Sequence, residues 1–166
     1  MDSVGDFSLA RIAVAIDGSA HADHGLDAAI ALAQKFQSEL TILAIAPLVS
    51  IYVSSTEPWV PTEIPESAVK RYREVVDAGV ARAQKAGLSS VSGVCLEGVV
   101  VDELVSYVEQ HPQDLLVLAS RGLSTAKRLL LGSVSDAVVH HAKCPVLIFR
   151  EPAVPAGERP TSTPGR

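Results

Sequence analysis

The chain has 166 residues, enough for one domain with a real core, and 48% of them are apolar, which excludes a largely disordered polymer. A net charge of −5 argues against nucleic acid or an anionic membrane as the main partner. No apolar run approaches the roughly 20 residues of a membrane span, and the acidic start Met1-Asp-Ser-Val-Gly-Asp-Phe7 lacks the basic opening of a signal peptide. A cytoplasmic domain is the expectation.

Residues 11–16, Arg-Ile-Ala-Val-Ala-Ile, read as a first strand, broken by Asp17-Gly18-Ser19 with Ser19 placed to cap a helix. That helix carries Leu26, Ala29, Ile30 and Ala33 on one face. Leu40–Ile45 reads as a second strand, ended by Pro47. Residues 47–66 hold Pro47, Pro58, Pro61 and Pro65 and fit neither helix nor strand. They read as a surface loop that folds over a site or a partner, with Tyr52 and Trp59 as its anchors on a ligand base, a partner subunit or the core. From Ser67 a helix presents Val69, Tyr72, Val76, Val80 and Ala83, and Ala86-Gly87 closes it.

Val91–Leu96 is a third strand and Glu97-Gly98 a turn. A helix with Val101, Leu104, Val105 and Val108 on one stripe stops before Pro112. Asp114–Leu118 is a fourth strand. It runs into a loop, 119–135, rich in small, hydroxyl and basic residues, with Arg121, Lys127 and Arg128 and no acid up to Gly132. Ser133, with Asp136 three residues on, resembles a capping box opening a short helix to His141. Pro145–Phe149 is the fifth strand. Residues 1–8 are expected to be flexible, 9–150 to form the domain, and the Pro-rich tail 151–166 to be disordered.

Strands alternating with helices imply an α/β fold, a parallel sheet with helices on both faces, in which ligands bind beyond the carboxyl ends of the strands where the strand order reverses. The ends of strands one and four, at Asp17 and Ala119, are the places to look. A helix N-terminus after a loop of small residues offers N–H groups and positive potential to an anion. Cys95 and Cys144 lack metal or redox spacing and read as buried thiols. His21 and His24 read as solvent-facing residues at a helix start, and His141 as packed. There is no Gly-x-Ser-x-Gly elbow, no Cys/His pair, no carboxylate pair at working spacing and no Gly-x4-Gly-Lys-Ser/Thr loop.

The stretch Ser120-Arg-Gly-Leu-Ser, the run Lys127-Arg-Leu-Leu-Leu-Gly-Ser-Val-Ser-Asp136 and the close His141-Ala-Lys-Cys-Pro-Val-Leu-Ile-Phe-Arg150 resemble the universal stress protein family. Val14-Ala-Ile-Asp-Gly-Ser19 is similar to that family's first strand and turn, and Glu97-Gly98 to its third. The resemblance covers residues 9–150. It implies a five-stranded Rossmann-like sheet of the adenine nucleotide alpha hydrolase type, ordered 3-2-1-4-5, and a homodimer, which an apolar edge strand at 146–149 would suit. One branch of the family binds ATP through Gly-x2-Gly-x9-Gly-Ser/Thr, and another lacks the motif and the ligand. Here the pattern is Ala119-x2-Gly122-x9-Gly132-Ser133, with alanine at the first glycine.

Carried over residue by residue, the implied ligand positions are Ala15, Asp17, Ile45, Ala119, Ser120, Arg121, Gly122, Gly132, Ser133, Val134 and Ser135, with ATP as the ligand, with or without Mg2+. Asp17 would accept from ribose or base, although a turn aspartate beside Gly18 fits it too. The implied function is an ATP-binding stress-response module that passes its signal to a protein partner. A dimeric adaptor without nucleotide and a slow ATP hydrolase stand as alternatives.

Overall fold

The computed structural model describes residues 8–48, 64–120 and 132–150. In chain order these form β1 (Arg11–Ala15), α1 (Ala20–Phe36), β2 (Glu39–Pro47), α2 (Glu66–Lys85), β3 (Val91–Gly98), α3 (Val100–Gln110), β4 (Leu115–Ala119), α4 (Ser133–His141) and β5 (Val146–Phe149). The acidic start, most of the Pro-rich segment, the middle of the 119–135 loop and the tail lie outside the described residues.

All five strands are parallel, in the order β3-β2-β1-β4-β5. Right-handed crossovers explain the layering. The chain steps outward from β1 to β2 to β3 with α1 and α2 on one face. It then returns across the sheet to β4 and β5 with α3 and α4 on the other. The apolar runs of the strands supply both cores, because alternate side chains point to opposite faces. Ile12, Val14, Ile42 and Val117 pack under α1 and α2. Ala13, Leu43, Leu116 and Leu118 pack under α3 and α4.

Strand lengths set the shape of the carboxyl end. Ala15 pairs with Leu43 on one side and Leu118 on the other, and the Ile16 N–H makes one further bond, to the Leu43 carbonyl. β1 then stops, while β2 continues against β3 as far as Pro47 opposite Gly98. Pro47 belongs to the strand, where a boundary before it is expected. Its missing N–H costs no ladder bond there, because β1 no longer runs alongside. The result is a notch floored by the end of β1 and walled by β2 and β4.

Two glycines let helix α2 close on the sheet and on the first turn. Gly18 has φ +80°, the left-handed conformation that the β1–α1 turn requires, and a side chain there would press on Val75 of α2. Gly93 of β3 lies directly beneath Val76 and Val80, and a Cβ at that position would overlap Val76. Gly93→Ala is therefore expected to destabilise the fold by about 1–3 kcal/mol, read as a lower urea midpoint at unchanged m-value.

Candidate functional site

The notch holds a cavity of about 170 Å3. Its lining brings together Ala15 and Asp17 from the end of β1, Ile45 from β2, Ala119 from the end of β4, and Gly132, Ser133, Val134 and Ser135 from the start of α4. These are eight of the eleven residues singled out from the sequence. Ser120 sits at the base of the loop: its N–H donates to the Phe149 carbonyl (2.8 Å) and its carbonyl accepts the Gly132 N–H (2.9 Å). Arg121 and Gly122, with Lys127 and Arg128, lie outside the described residues.

At the β1 corner the turn is built from side-chain capping. The Asp17 Oδ1 accepts the Ser19 N–H at 3.0 Å, and the Ser19 Oγ accepts the Ala22 N–H at 3.2 Å, capping α1 as its sequence predicts. Asp17 thus fills its turn role and also borders the cavity. At the opposite corner α4 begins at Gly132, which is the N-cap with φ −61° and ψ 151°. Ser133 is therefore the first helical residue and not the expected cap. Gly132 has no side chain to satisfy the first-turn donors, so the N–H groups of Ser133, Val134 and Ser135 have no partner within the helix. Ser133 is exposed there.

Ser135 differs from expectation in another way. It is buried, and its hydroxyl donates to the Ala119 carbonyl at 2.8 Å. That proton is not available to a ligand. Ser135 instead ties the first turn of α4 to the end of β4 and sets the distance between the two walls of the site.

The alanine at the first motif position has a plain structural account. Among the described residues Gln37 is the one non-glycine with positive φ, so Ala119 sits in ordinary backbone. Val117 faces α1, and alternation puts the Ala119 methyl on the same side. A Cβ placed on Gly25 of α1 would stand 3.7 Å from the Ala119 Cβ and 3.5 Å from its N. The methyl is seated against a bare stretch of α1, on the face of the sheet opposite α4.

Several lining residues escaped the sequence reading. Ile16, Ala22, Tyr72, Val100, Leu104 and Leu118 complete the cavity. Tyr72 and Leu104 have only the signal of a core stripe, and both are buried. Burial pushes the Tyr72 phenol above its ordinary range. The Asp17 charge adds to that rise and Arg71, whose guanidinium lies 5.7 Å from the ring centroid, opposes it.

His141 is exposed, a correction to its expected packing: it is the last residue of α4, where the stripe of Val134 and Val138 leaves the core. His21 and His24, at the start of α1, are half-buried, so solvent reaches them only in part. Among the described residues no group of three or more His, Cys, Asp or Glu is placed to hold a metal ion. Cys95 and Cys144 are half-buried free thiols, one on β3 and one beside β5 at opposite edges of the sheet. Four inter-strand steps of about 4.8 Å separate those edges, far beyond disulfide reach.

Residues 9–150 match the universal stress protein family. The chain belongs to that family. A relative from Bacillus subtilis, universal stress protein YxiE, is 32% identical over 146 residues, covering 84% of this chain and 98% of the relative. Among solved structures, the universal stress protein UspA from Lactobacillus plantarum superposes with a TM-score of 0.75 at 24% identity, covering 86% of this chain and 99% of that one. A universal stress protein in complex with cAMP superposes with a TM-score of 0.61 at 27% identity, covering 84% of this chain and 94% of that one. In this universal stress protein the Ser135 link is the testable part of the site's frame. Ser135→Ala orphans the Ala119 carbonyl and is expected to cost about 1 kcal/mol, seen as a lower thermal midpoint.

Proposed function

We propose that this universal stress protein binds an adenine nucleotide, ATP in the first place, in the notch at the ends of β1 and β4. The observation that carries the reading is the convergence of an acceptor carboxylate, an apolar floor and a helix N-terminus on one cavity. The N–H groups at the start of α4, which have no partner within the helix, suit the phosphates. Ile45, Val100, Leu104 and Leu118 suit a flat base. Asp17 suits the hydroxyls or amino group of the nucleoside end, and its charge repels the phosphates toward α4. The cAMP complex of a relative supports nucleotide occupancy of the fold. Any Mg2+ would arrive on the polyphosphate, since Asp17 is the one carboxylate among the lining residues.

The ligand serves as a signal in a stress response, passed to a protein partner. Among the described lining residues Asp17 is the one ionisable group besides the Tyr72 phenol, and turnover is not part of the proposal. The cytoplasm suits an acidic chain with two free thiols, and among the described residues no helix is long and apolar enough to cross a membrane. β5 supports the homodimer. It has a neighbour on one side only among the described strands, and Leu147 on it is exposed.

At 100 times Kd, Mg-ATP is expected to stabilise the protein by roughly 2.7 kcal/mol, a rise in Tm of about 5–10 °C. Nucleotide should also be released when the purified protein is heat-denatured. No shift at millimolar ATP, ADP or AMP overturns the reading and favours the adaptor. Phosphate release above that of a Gly132→Asp control would instead reveal a hydrolase. Because the methyl faces α1, Ala119→Gly is expected to change ATP affinity by less than about twofold while lowering stability by roughly 0.5–1 kcal/mol. Leu147→Glu is expected to turn the dimer into a monomer by light scattering coupled to size exclusion, with the far-UV spectrum unchanged.

A further inference from the structure

The β1 corner of the cavity contains a second polar side chain that the ligand motif does not include. Tyr72 comes from the second turn of α2, the helix that Gly18 and Gly93 allow to approach so closely. It is 8% exposed, and it borders the same cavity as Asp17. Asp17 lies near enough for its charge to act on the phenol, which burial raises above its ordinary range. The ring packs in the apolar cluster beneath α1 and α2, and the Arg71 guanidinium lies over it at 5.7 Å from the centroid.

The two side chains differ in what they can offer. An ionised carboxylate only accepts hydrogen bonds, whereas a phenol both donates and accepts. A corner that presents both matches a ligand with two adjacent hydroxyls, each of which donates and accepts. The polarity of the cavity decides which part of a nucleotide arrives there. Phosphates are drawn to the N–H groups at the start of α4 and repelled by Asp17, so the nucleoside lies toward Asp17; the apolar Ile45, Val100, Leu104 and Leu118 suit the base, which leaves the polar Asp17 corner to the sugar. From this placement we infer that Tyr72 is a specificity-determining residue: together with Asp17 it reads the ribose diol and makes the site selective for ribonucleotides over deoxyribonucleotides. The inference rests on the nucleotide reading above and adds the sugar to it. Nothing in the α2 periodicity distinguishes this role from core packing. Tyr72 belongs to both, as a member of the core cluster and of the cavity lining.

The test compares ATP, 2′-deoxy-ATP and 3′-deoxy-ATP by titration calorimetry against the wild-type chain and Tyr72→Phe, a change that keeps the ring and removes the hydroxyl. The wild type is expected to prefer ATP over at least one deoxy analogue by about tenfold, the worth of one well-made hydrogen bond. Tyr72→Phe is expected to lose most of that preference by weakening ATP while leaving the disfavoured analogue within about twofold. Its Tm without ligand should stay close to wild type, because the packing is retained. A wild type that binds ATP and both analogues equally, or a Tyr72→Phe variant that keeps the preference, overturns the role of Tyr72 and leaves the nucleotide site standing. A wild type that binds none of the three overturns the site and this inference together.

Discussion

Strand β1 is bonded on both edges, buried on both faces, and shorter than the strand beside it. Its neighbours β2 and β4 leave the sheet by opposite faces, because the chain winds outward in both directions from the middle with one handedness. The backbone at the end of β1 turns away through Asp17-Gly18-Ser19. The notch, its two walls and the approach of α2 and α4 all follow from that arrangement. A longer β1 would fill the cavity with its own backbone. A Gly18 with a side chain would push α2 off the turn through Val75.

The first motif glycine is alanine, and what matters is the direction of its methyl rather than its presence. Ala119 shares the side of β4 that Val117 uses, and α1 offers Gly25 where most residues would bring a side chain. The added carbon is accommodated between two backbones on the side of the sheet away from α4. Ser135 acts on the other side of the same residue, holding its carbonyl. The end of β4 is thus fixed from above and below by small residues, and neither α1 nor α4 can shift away from it without losing a contact.

Much of the fold was legible because its elements are strongly patterned. Apolar runs bounded by Gly and Pro mark the strands. Ser19 is a cap because a serine hydroxyl reaches a first-turn N–H wherever a helix follows it. Ser133 misled for the same reason: a serine at a helix start looks like a cap, but Gly132 before it takes the extended conformation that defines the position. Periodicity assigned Tyr72 and Leu104 to the core face correctly. It cannot show that the same face runs past the last residue of a strand and becomes the wall of a cavity, since that depends on where a different strand stops. The partner of the Ser135 hydroxyl was hidden likewise, because Ala119 is sixteen residues away in the chain. The alternation of buried side chains along β4 could have shown which way the Ala119 methyl points, had α1 been placed first.

The two hydrogen bonds of Ser120 have a consequence for how the ends of three elements move. One holds the end of β4 to the end of β5, and the other holds Gly132, the cap of α4, to the same residue. The Ser135 hydroxyl on the Ala119 carbonyl adds a third link one residue away. Two strand ends and one helix start, distant in the chain, thus share a single anchor of two residues. That rim of the cavity shifts as one body or not at all.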